Sequence, residues 1–120
     1  MNAFQEFISE MGKSERRELG NRLYRLLEHV LKARYIKDQI ATDNLRGWNK
    51  SVRDQRRELV DLFTEHRHLK PEFTDELIDD VYRAVVADLQ EEYPNVRFPR
   101  NRQLAMPEIM GKDVMAVLKR

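Results

Sequence analysis

The sequence predicts an all-α protein, an up-and-down helical bundle with three long helices and short flanking helices. Apolar residues recur every three or four positions along most of the 120 residues, which is the period of an amphipathic α-helix. The chain has only 4 glycines and 4 prolines, which argues against long disordered segments, and it contains no convincing strand. Short connections between long helices favour antiparallel neighbours, so we expect the helices to alternate in direction.

The first two predicted helices occupy the N-terminal third of the chain. A short helix over residues 3–11 presents its apolar side chains on one face, and Gly12 ends it. The second helix covers residues 14–40 and starts at Ser14, whose hydroxyl is a favourable N-cap. Its apolar face spans about half of the circumference, a width typical of a central helix that contacts two neighbours.

The third predicted helix covers residues 45–69 and follows a break that the turn-forming residues of ATDNLRG indicate. Its stretch GWNKSVRDQRREL is rich in charge, yet on a helical wheel Trp48 begins an apolar stripe and the charged side chains mostly point elsewhere. Gln55 lies at the centre of this stripe and Arg56 at its edge. The pattern predicts a buried Trp48, whose indole N–H then needs a hydrogen-bond partner.

The fourth predicted helix covers residues 71–93. It begins with Pro71, which is favoured in a first helical turn because its missing N–H is not needed there, and Pro94 ends it. An extended polar connector, PNVRFPRNRQ, follows. The last helix is short and follows Pro107; because Gly111 weakens it, two short helical turns are the alternative.

Composition and charge exclude several classes of protein. The formal net charge of +1 provides no bulk attraction to nucleic acid or to an acidic membrane. The absence of cysteine excludes disulfides, thiolate metal sites and cysteine nucleophiles. No apolar run approaches the roughly 20 residues that cross a bilayer, and the N-terminus lacks the basic start and apolar core of a signal peptide. We therefore expect one cytoplasmic domain over residues 1–120, without membrane association.

Two segments resemble a known family of bacterial proteins. The first segment is SEMGKSERRELGNRLYRLLEHVLKARY, which resembles an acidic-Met-Gly-basic-Ser-Glu-Arg-Arg opening followed by a Leu-Leu-Glu-His-Leu-Leu-Lys segment. The second segment is WNKSVRDQRREL, which is similar to a Trp-x-x-Thr/Ser-Ile/Val-x-x-Gln-Arg segment. On these motifs the chain resembles domain-of-unknown-function family 29. The resemblance implies a helical bundle and brings no activity, cofactor or catalytic residue. Members usually have a further N-terminal helix that this chain lacks. Without that helix, we expect the chain either to form a dimer or to repack as a monomer.

Several polar residues lie on or beside the predicted apolar faces. Gln55 with Arg56 suits ligand recognition, although we favour a buried contact that fixes the helix register. Glu28 and His29 flank one apolar face from opposite edges, and we favour hydrogen bonds between helices over an acid–base couple. Asp88 falls on the apolar side of its helix, where it either pairs with a cation or emerges into solvent. The candidate binding or polar-core residues are Glu28, His29, Trp48, Gln55 and Arg56.

The sequence predicts no metal site and no cofactor. His66 and His68 are two positions apart, a spacing at which helical side chains diverge, and His29 would have to join them. Glu65 is adjacent to His66 and three residues before His68, but we do not interpret this spacing as a clear Glu-x-x-His metal unit, and no glycine-rich phosphate loop or known catalytic motif is present. No catalytic residue is therefore named, and whether the protein is an enzyme stays open.

Charge is distributed unevenly along the chain. Residues 71–93 hold eight acidic residues and one basic residue. The connector contributes a basic cluster of Arg97, Arg100 and Arg102 beside Phe98, which phosphate binding would explain. The interpretation that we favour is that the acidic helix pairs with its basic neighbours inside the molecule.

These observations predict a non-catalytic module that binds a second copy of itself or another protein. Its two ends carry the apolar residues Phe4, Phe7, Met106, Met110 and Met115. The alternative is nucleic-acid binding through the basic faces and the loop over residues 97–102. An enzyme is the third hypothesis, and it requires a pocket between the second and third helices lined by Glu28, His29, Gln55 and Arg56.

Overall fold

The computed structural model describes Gln5 and residues 14–120, and every regular element within them is helical. In chain order these are α1 (Ser14–Tyr35), α2 (Gln39–Glu65), the 3-10 helix η1 (Arg67–Glu72), α3 (Asp75–Glu92) and α4 (Met106–Leu118). The all-α prediction is confirmed. Apart from Gln5, the short helix predicted over residues 3–11 lies outside the described residues, and so do Phe4, Phe7 and Gly12.

The connection between α1 and α2 lies earlier than the sequence predicted. The structure ends α1 at Tyr35 and starts α2 at Gln39, so the predicted break in ATDNLRG is wrong. The reason is Asp38, which has an extended backbone and accepts a hydrogen bond from the backbone N–H of Ile40 at 2.9 Å. This N-cap satisfies a backbone donor at the helix start, and the polar residues that follow it are accommodated on the exposed surface of α2.

The start of α3 also differs from the prediction. Pro71 lies in η1, and α3 begins four residues later at Asp75. Thr74 caps α3, because its hydroxyl oxygen accepts a hydrogen bond from the N–H of Leu77 at 3.1 Å. Acidic residues in the first turn of α3 add a favourable interaction with the helix dipole.

The last helix consists of two pieces. Gly111 has φ of +81° and ψ of 171°, a conformation essentially restricted to glycine, and it divides α4 in the middle. This is the arrangement of two short turns that the sequence left as an alternative. The first piece starts with Pro107 in its first turn, where the lost N–H is harmless.

The core is assembled around α1. Both α2 and α3 pack against α1, and α4 packs mainly against α2. Five leucines of α1 are at most 1% exposed, which agrees with the wide apolar face that the sequence shows. The apolar stripe of α2 is buried as predicted, with Trp48 at 7% and Phe63 at 0% exposure. Trp48 is therefore a core residue.

None of the described helices combines the length and the apolar character that a membrane span requires.

Candidate functional site

A groove of about 530 Å³ lies between α2 and α4. Its lining contains five basic residues and one acidic residue together with apolar side chains. The lining residues are Arg53, Arg56, Arg57, Val60, Met110, Gly111, Lys112, Asp113, Ala116, Val117 and Arg120. The groove therefore combines positive charge with an apolar surface.

The α2 side of the groove follows from helical spacing. Arg53, Arg56, Arg57 and Val60 stand at relative positions 0, 3, 4 and 7, which places them along one face of a helix. Arg53 and Arg57 are exposed, and neither forms a hydrogen bond or an ion pair with any residue that the structure describes. These two cations are free to contact a ligand.

Arg56 holds α4 against α2. Its Nε donates to the carbonyl of Ile109 at 3.0 Å, and a terminal nitrogen donates to the carbonyl of Glu108 at 2.9 Å. Burial lowers the pKa of the Arg56 guanidinium from its ordinary value. A Cβ at Gly111 would approach the Cδ and Nε atoms of Arg56 to 3.1 Å, so glycine also permits the close contact.

Gln55 faces α1 rather than the groove. Its side-chain oxygen accepts a hydrogen bond from Arg22 at 3.4 Å, and Arg22 in turn donates to Glu18 at 2.8 Å. Gln55 is half-buried rather than interior as the sequence predicted, although Val52 and Leu59 of the same stripe are buried. Trp48 and Phe63 are also more deeply buried than Gln55.

Glu28 and His29 lie on α1, at its contact with α2. The Nδ1 atom of His29 is 2.8 Å from the carbonyl oxygen of Arg25 and 3.0 Å from the hydroxyl of Ser51 on α2. One carboxylate oxygen of Glu28 lies 3.9 Å from His29 Nδ1, and the other lies 3.9 Å from Lys32 Nζ. Neither residue lines the groove, so the structure does not bring Arg56 together with Glu28 and His29 in one pocket.

The connector arginines differ from one another. Arg102 donates to the carboxylates of Asp79 and Asp75, both at 2.8 Å, and its side chain is only 12% exposed. Burial lowers the pKa of Arg102, but the hydrogen bonds with the two carboxylates outweigh burial and the net shift is upward. Arg102 is therefore occupied inside the molecule, as the pairing interpretation requires.

The rest of the basic cluster is two exposed side chains. Arg97 and Arg100 point into solvent, whereas Phe98 is 7% exposed and packs edge-on against Tyr35 at a ring distance of 6.2 Å. A buried ring is not available to stack on a nucleobase. The loop over residues 97–102 thus offers two cations and no aromatic platform.

Asp88 has a partner that the sequence did not indicate. The hydroxyl of Tyr24 on α1 donates to the Asp88 carboxylate at 2.6 Å. Burial, followed by the interaction with Asp88, raises the pKa of Tyr24 well above its ordinary value. The contact joins α1 to α3, and neither an arginine nor a histidine is needed for it.

The described residues also contain one group of side chains that could hold a metal ion. It consists of Glu15, His66 and His68, with one ligand atom from each within 4.8 Å of the others. The sequence predicted no metal site, because His29 would have had to join His66 and His68; His29 contacts Ser51 instead. Glu15 was missed because nothing in the sequence shows that the start of α1 lies beside the end of α2.

Comparison with known proteins adds the family. Residues 1–115 match the family model described as "Domain of unknown function DUF29". The chain belongs to this family. The matched region of this DUF29 protein contains every groove residue except Ala116, Val117 and Arg120, and it contains Glu15, His66 and His68. No curated protein and no solved structure gives a match.

The sequence indicated only the α2 side of the basic groove of this DUF29 protein. The arginines of α2 share a helical face, which their spacing in the sequence shows. Lys112 and Arg120 were missed because they belong to the groove only through the packing of α4 on α2. The feature of the sequence that could have indicated the groove was the stripe of basic residues next to the apolar stripe of α2.

Proposed function

We propose that this DUF29 protein is a cytoplasmic, non-catalytic interaction module that binds an acidic and partly apolar segment of a partner protein in the groove between α2 and α4. The supporting observation is the groove lining, in which five basic residues outnumber a single acidic residue beside apolar side chains. Positive potential attracts an acidic segment and sets its orientation, while apolar contacts provide affinity.

A protein partner fits the lining better than a nucleic acid does. Nucleic-acid surfaces are dominated by phosphates, and their binding sites use cations together with exposed aromatic rings. The groove instead places the accessible apolar side chains of Val60 and Ala116 among its cations, and its lining contains no aromatic residue. In the other basic cluster Arg102 is already paired with two carboxylates. The nucleic-acid hypothesis thus has fewer supporting contacts.

The groove chemistry also favours binding over catalysis. Asp113 is the one carboxylate in the lining, which contains no histidine, serine, threonine or tyrosine. General acid–base and nucleophilic mechanisms often use side chains of those kinds. The predominance of basic residues suits the orientation of an anionic segment better than catalysis.

The apolar ends of the chain contribute less to the proposal than the sequence suggested. Met110 is 0% exposed and belongs to the core, and Met106 and Met115 are half-buried. Phe4 and Phe7 lie outside the described residues. Self-association therefore has to be distinguished by experiment from binding to a different protein.

The proposal is tested with a pair of charge-reversal variants. Arg53→Glu with Arg57→Glu changes the groove, and Arg97→Glu with Arg100→Glu makes the same charge change in the connector. We expect a fluorescently labelled Glu- and Leu-containing peptide to bind the unaltered chain and the connector variant. The groove variant should bind roughly tenfold or more weakly, because two attractive charges become repulsive. Fluorescence anisotropy measures this binding.

Two further probes separate the alternatives. An all-Glu peptide should bind more weakly than the Glu- and Leu-containing one if the apolar lining contributes. A single-stranded oligonucleotide that binds more tightly than either peptide, and is lost in the connector variant, would favour the nucleic-acid hypothesis. Light scattering of the same proteins reports self-association, and a dimer that dissociates in the groove variant would identify a second copy as the partner.

A further inference from the structure

The side chains of Glu15, His66 and His68 meet where the start of α1 contacts the turn after α2. Glu15 lies in the first turn of α1, His66 ends α2, and His68 lies in η1. One ligand atom from each lies within 4.8 Å of the other two. We propose that these three residues form a binding site for a divalent transition-metal ion of the zinc class, which joins α1 to the turn between α2 and η1.

The separation of the three atoms is close to what a metal ion requires. Zinc binds imidazole nitrogen and carboxylate oxygen at about 2.0–2.2 Å, so ligand atoms in a tetrahedral site lie about 3.4 Å apart. Closing from at most 4.8 Å requires each side chain to move by about an ångström or less. His68 is exposed, and Glu15 and His66 are half-buried, so rotation about their side-chain bonds is unhindered by core packing.

The backbone between the two histidines is held in place. The N–H of His66 donates to the carbonyl of Leu62 at 2.8 Å, and the carbonyl of His66 accepts from Leu69 at 3.0 Å. Leu69 is 1% exposed, so the turn is anchored in the core. The tight turn brings the rings of His66 and His68 to a centroid distance of 5.8 Å, whereas on a continuous α-helix they would diverge.

The carboxylate side of the site is also anchored. Arg16, the neighbour of Glu15, forms an ion pair with Glu72 at the end of η1, which ties the start of α1 to η1. The second oxygen of Glu72 is buried and has no hydrogen-bond partner among the described residues. This ion pair also offsets the positive charge of Arg16, the residue next to Glu15.

The donor set selects the kind of metal. Two imidazole nitrogens and one carboxylate suit Zn²⁺, Co²⁺ or Ni²⁺, whereas Mg²⁺ and Ca²⁺ prefer oxygen ligands alone. Three protein ligands leave at least one coordination position, which water would complete. The site lies outside the groove lining and does not depend on the function proposed for the groove.

The proposal is tested by titrating ZnCl₂ into the full chain, prepared without an affinity tag, by calorimetry at about pH 7.5, where free imidazoles are mostly neutral. We expect one ion per chain. His66→Asn and His68→Asn should each weaken binding by about 100-fold, since even residues outside the first coordination shell contribute about 10–100-fold. His29→Asn removes the remaining histidine of the chain and should leave zinc binding unchanged.

Glu15→Gln and Glu18→Gln form a matched pair of carboxylate variants one helical turn apart. Glu15→Gln should weaken zinc binding, whereas Glu18→Gln should not. Zinc at a free concentration of about a hundred times its Kd should also raise the Tm of the unaltered chain by about 10 °C. The corresponding Tm shift should be lost in His68→Asn, which changes an exposed side chain and is expected to fold.

NMR on the unaltered chain keeps the test independent of any variant. Zinc should shift the ring resonances of His66 and His68 and leave those of His29 in place. Equal shifts of all three histidines, or calorimetric binding that is unaffected by His66→Asn and His68→Asn, would overturn the site. So would the absence of zinc binding at millimolar concentration.

Discussion

At the scale of single residues, polar side chains singled out by the sequence brace backbone that is not in regular helices. Arg56 donates to two carbonyls near the break at Gly111, and Arg102 donates to the carbonyl of Leu104 in the connector. Irregular backbone leaves carbonyl oxygens without partners in a helix, and long side chains with several donors satisfy them. Arg56 and Arg102 therefore stabilise the irregular backbone, independently of any contact with a ligand.

Tyr82 supplies a pH-dependent contribution at the same scale. Its hydroxyl donates to the carbonyl of Pro99 at 2.6 Å, and burial raises its pKa to about 12 from an ordinary value of 10.0. Because the folded state has the higher pKa, the stabilisation is fully present below about pH 10 and is lost as the pH rises through about 12. We expect the free energy of unfolding to fall over this range by about 2 kcal/mol or less from this residue.

Tyr82→Phe checks this expectation. The variant should be less stable near neutral pH by about 1 kcal/mol, because the Pro99 carbonyl loses a donor, and its stability should decline less between about pH 10 and 12. Urea unfolding at a series of pH values measures both effects. An identical decline in the variant and the unaltered chain would show that ionisation of Tyr82 does not contribute.

At the scale of elements, helix boundaries follow capping hydrogen bonds more closely than the local density of turn-forming residues. Asp38 caps α2 and Thr74 caps α3, although the sequence interpretation placed the boundaries elsewhere. Thr42 is part of the predicted break and lies in the exposed first turns of α2. A turn-forming residue on a helix surface lowers helix propensity by only a few tenths of a kcal/mol, which a cap readily outweighs.

A matched pair of alanine substitutions tests this explanation. Asp38→Ala should lower the free energy of unfolding by about 1 kcal/mol, because the N–H of Ile40 loses its side-chain acceptor. Thr42→Ala should leave stability unchanged or raise it slightly, since alanine has the higher helix propensity. Urea unfolding provides the comparison. Greater destabilisation by Thr42→Ala would instead place the functional helix start near residue 42.

At the scale of the whole molecule, one central helix organises the rest. The wide apolar face of α1 lets it contact α2 and α3 together, and α4 completes the core by packing on α2. The groove exists because the kink at Gly111 and the Arg56 contact hold α4 along α2. A surface formed by two helices distant in sequence is thus a property of the assembled fold.

Because a single core joins the helices, the described residues should unfold cooperatively. The emission of Trp48, which is 7% exposed, reports the core, and circular dichroism reports the helices. We expect the two thermal transitions to coincide, with a calorimetric enthalpy of about 80 kcal/mol that equals the van 't Hoff value. A fluorescence transition at a lower temperature than the loss of helix would indicate that the chain is more than one folding unit.

Much of the fold was predictable because helical periodicity is a local property. The apolar stripes of α1 and α2 identified the buried faces, and Gly111 identified the weak point of α4. The errors were helix ends, where a cap is decided by one hydrogen bond, and the depth of Gln55, which is half-buried at its hydrogen bond with Arg22 of α1.

The amino-acid sequence by itself determined the helical class, the burial of Trp48 and membership of the DUF29 family, because each depends on residue types at short, regular spacings. Only the tertiary structure decided which charged side chains are neutralised and which are free. It paired Arg102 with the acidic helix, left Arg53 and Arg57 open in the groove, and brought Glu15 to His66 and His68. Charge interactions depend on distances between elements, and no local pattern in the chain encodes those distances.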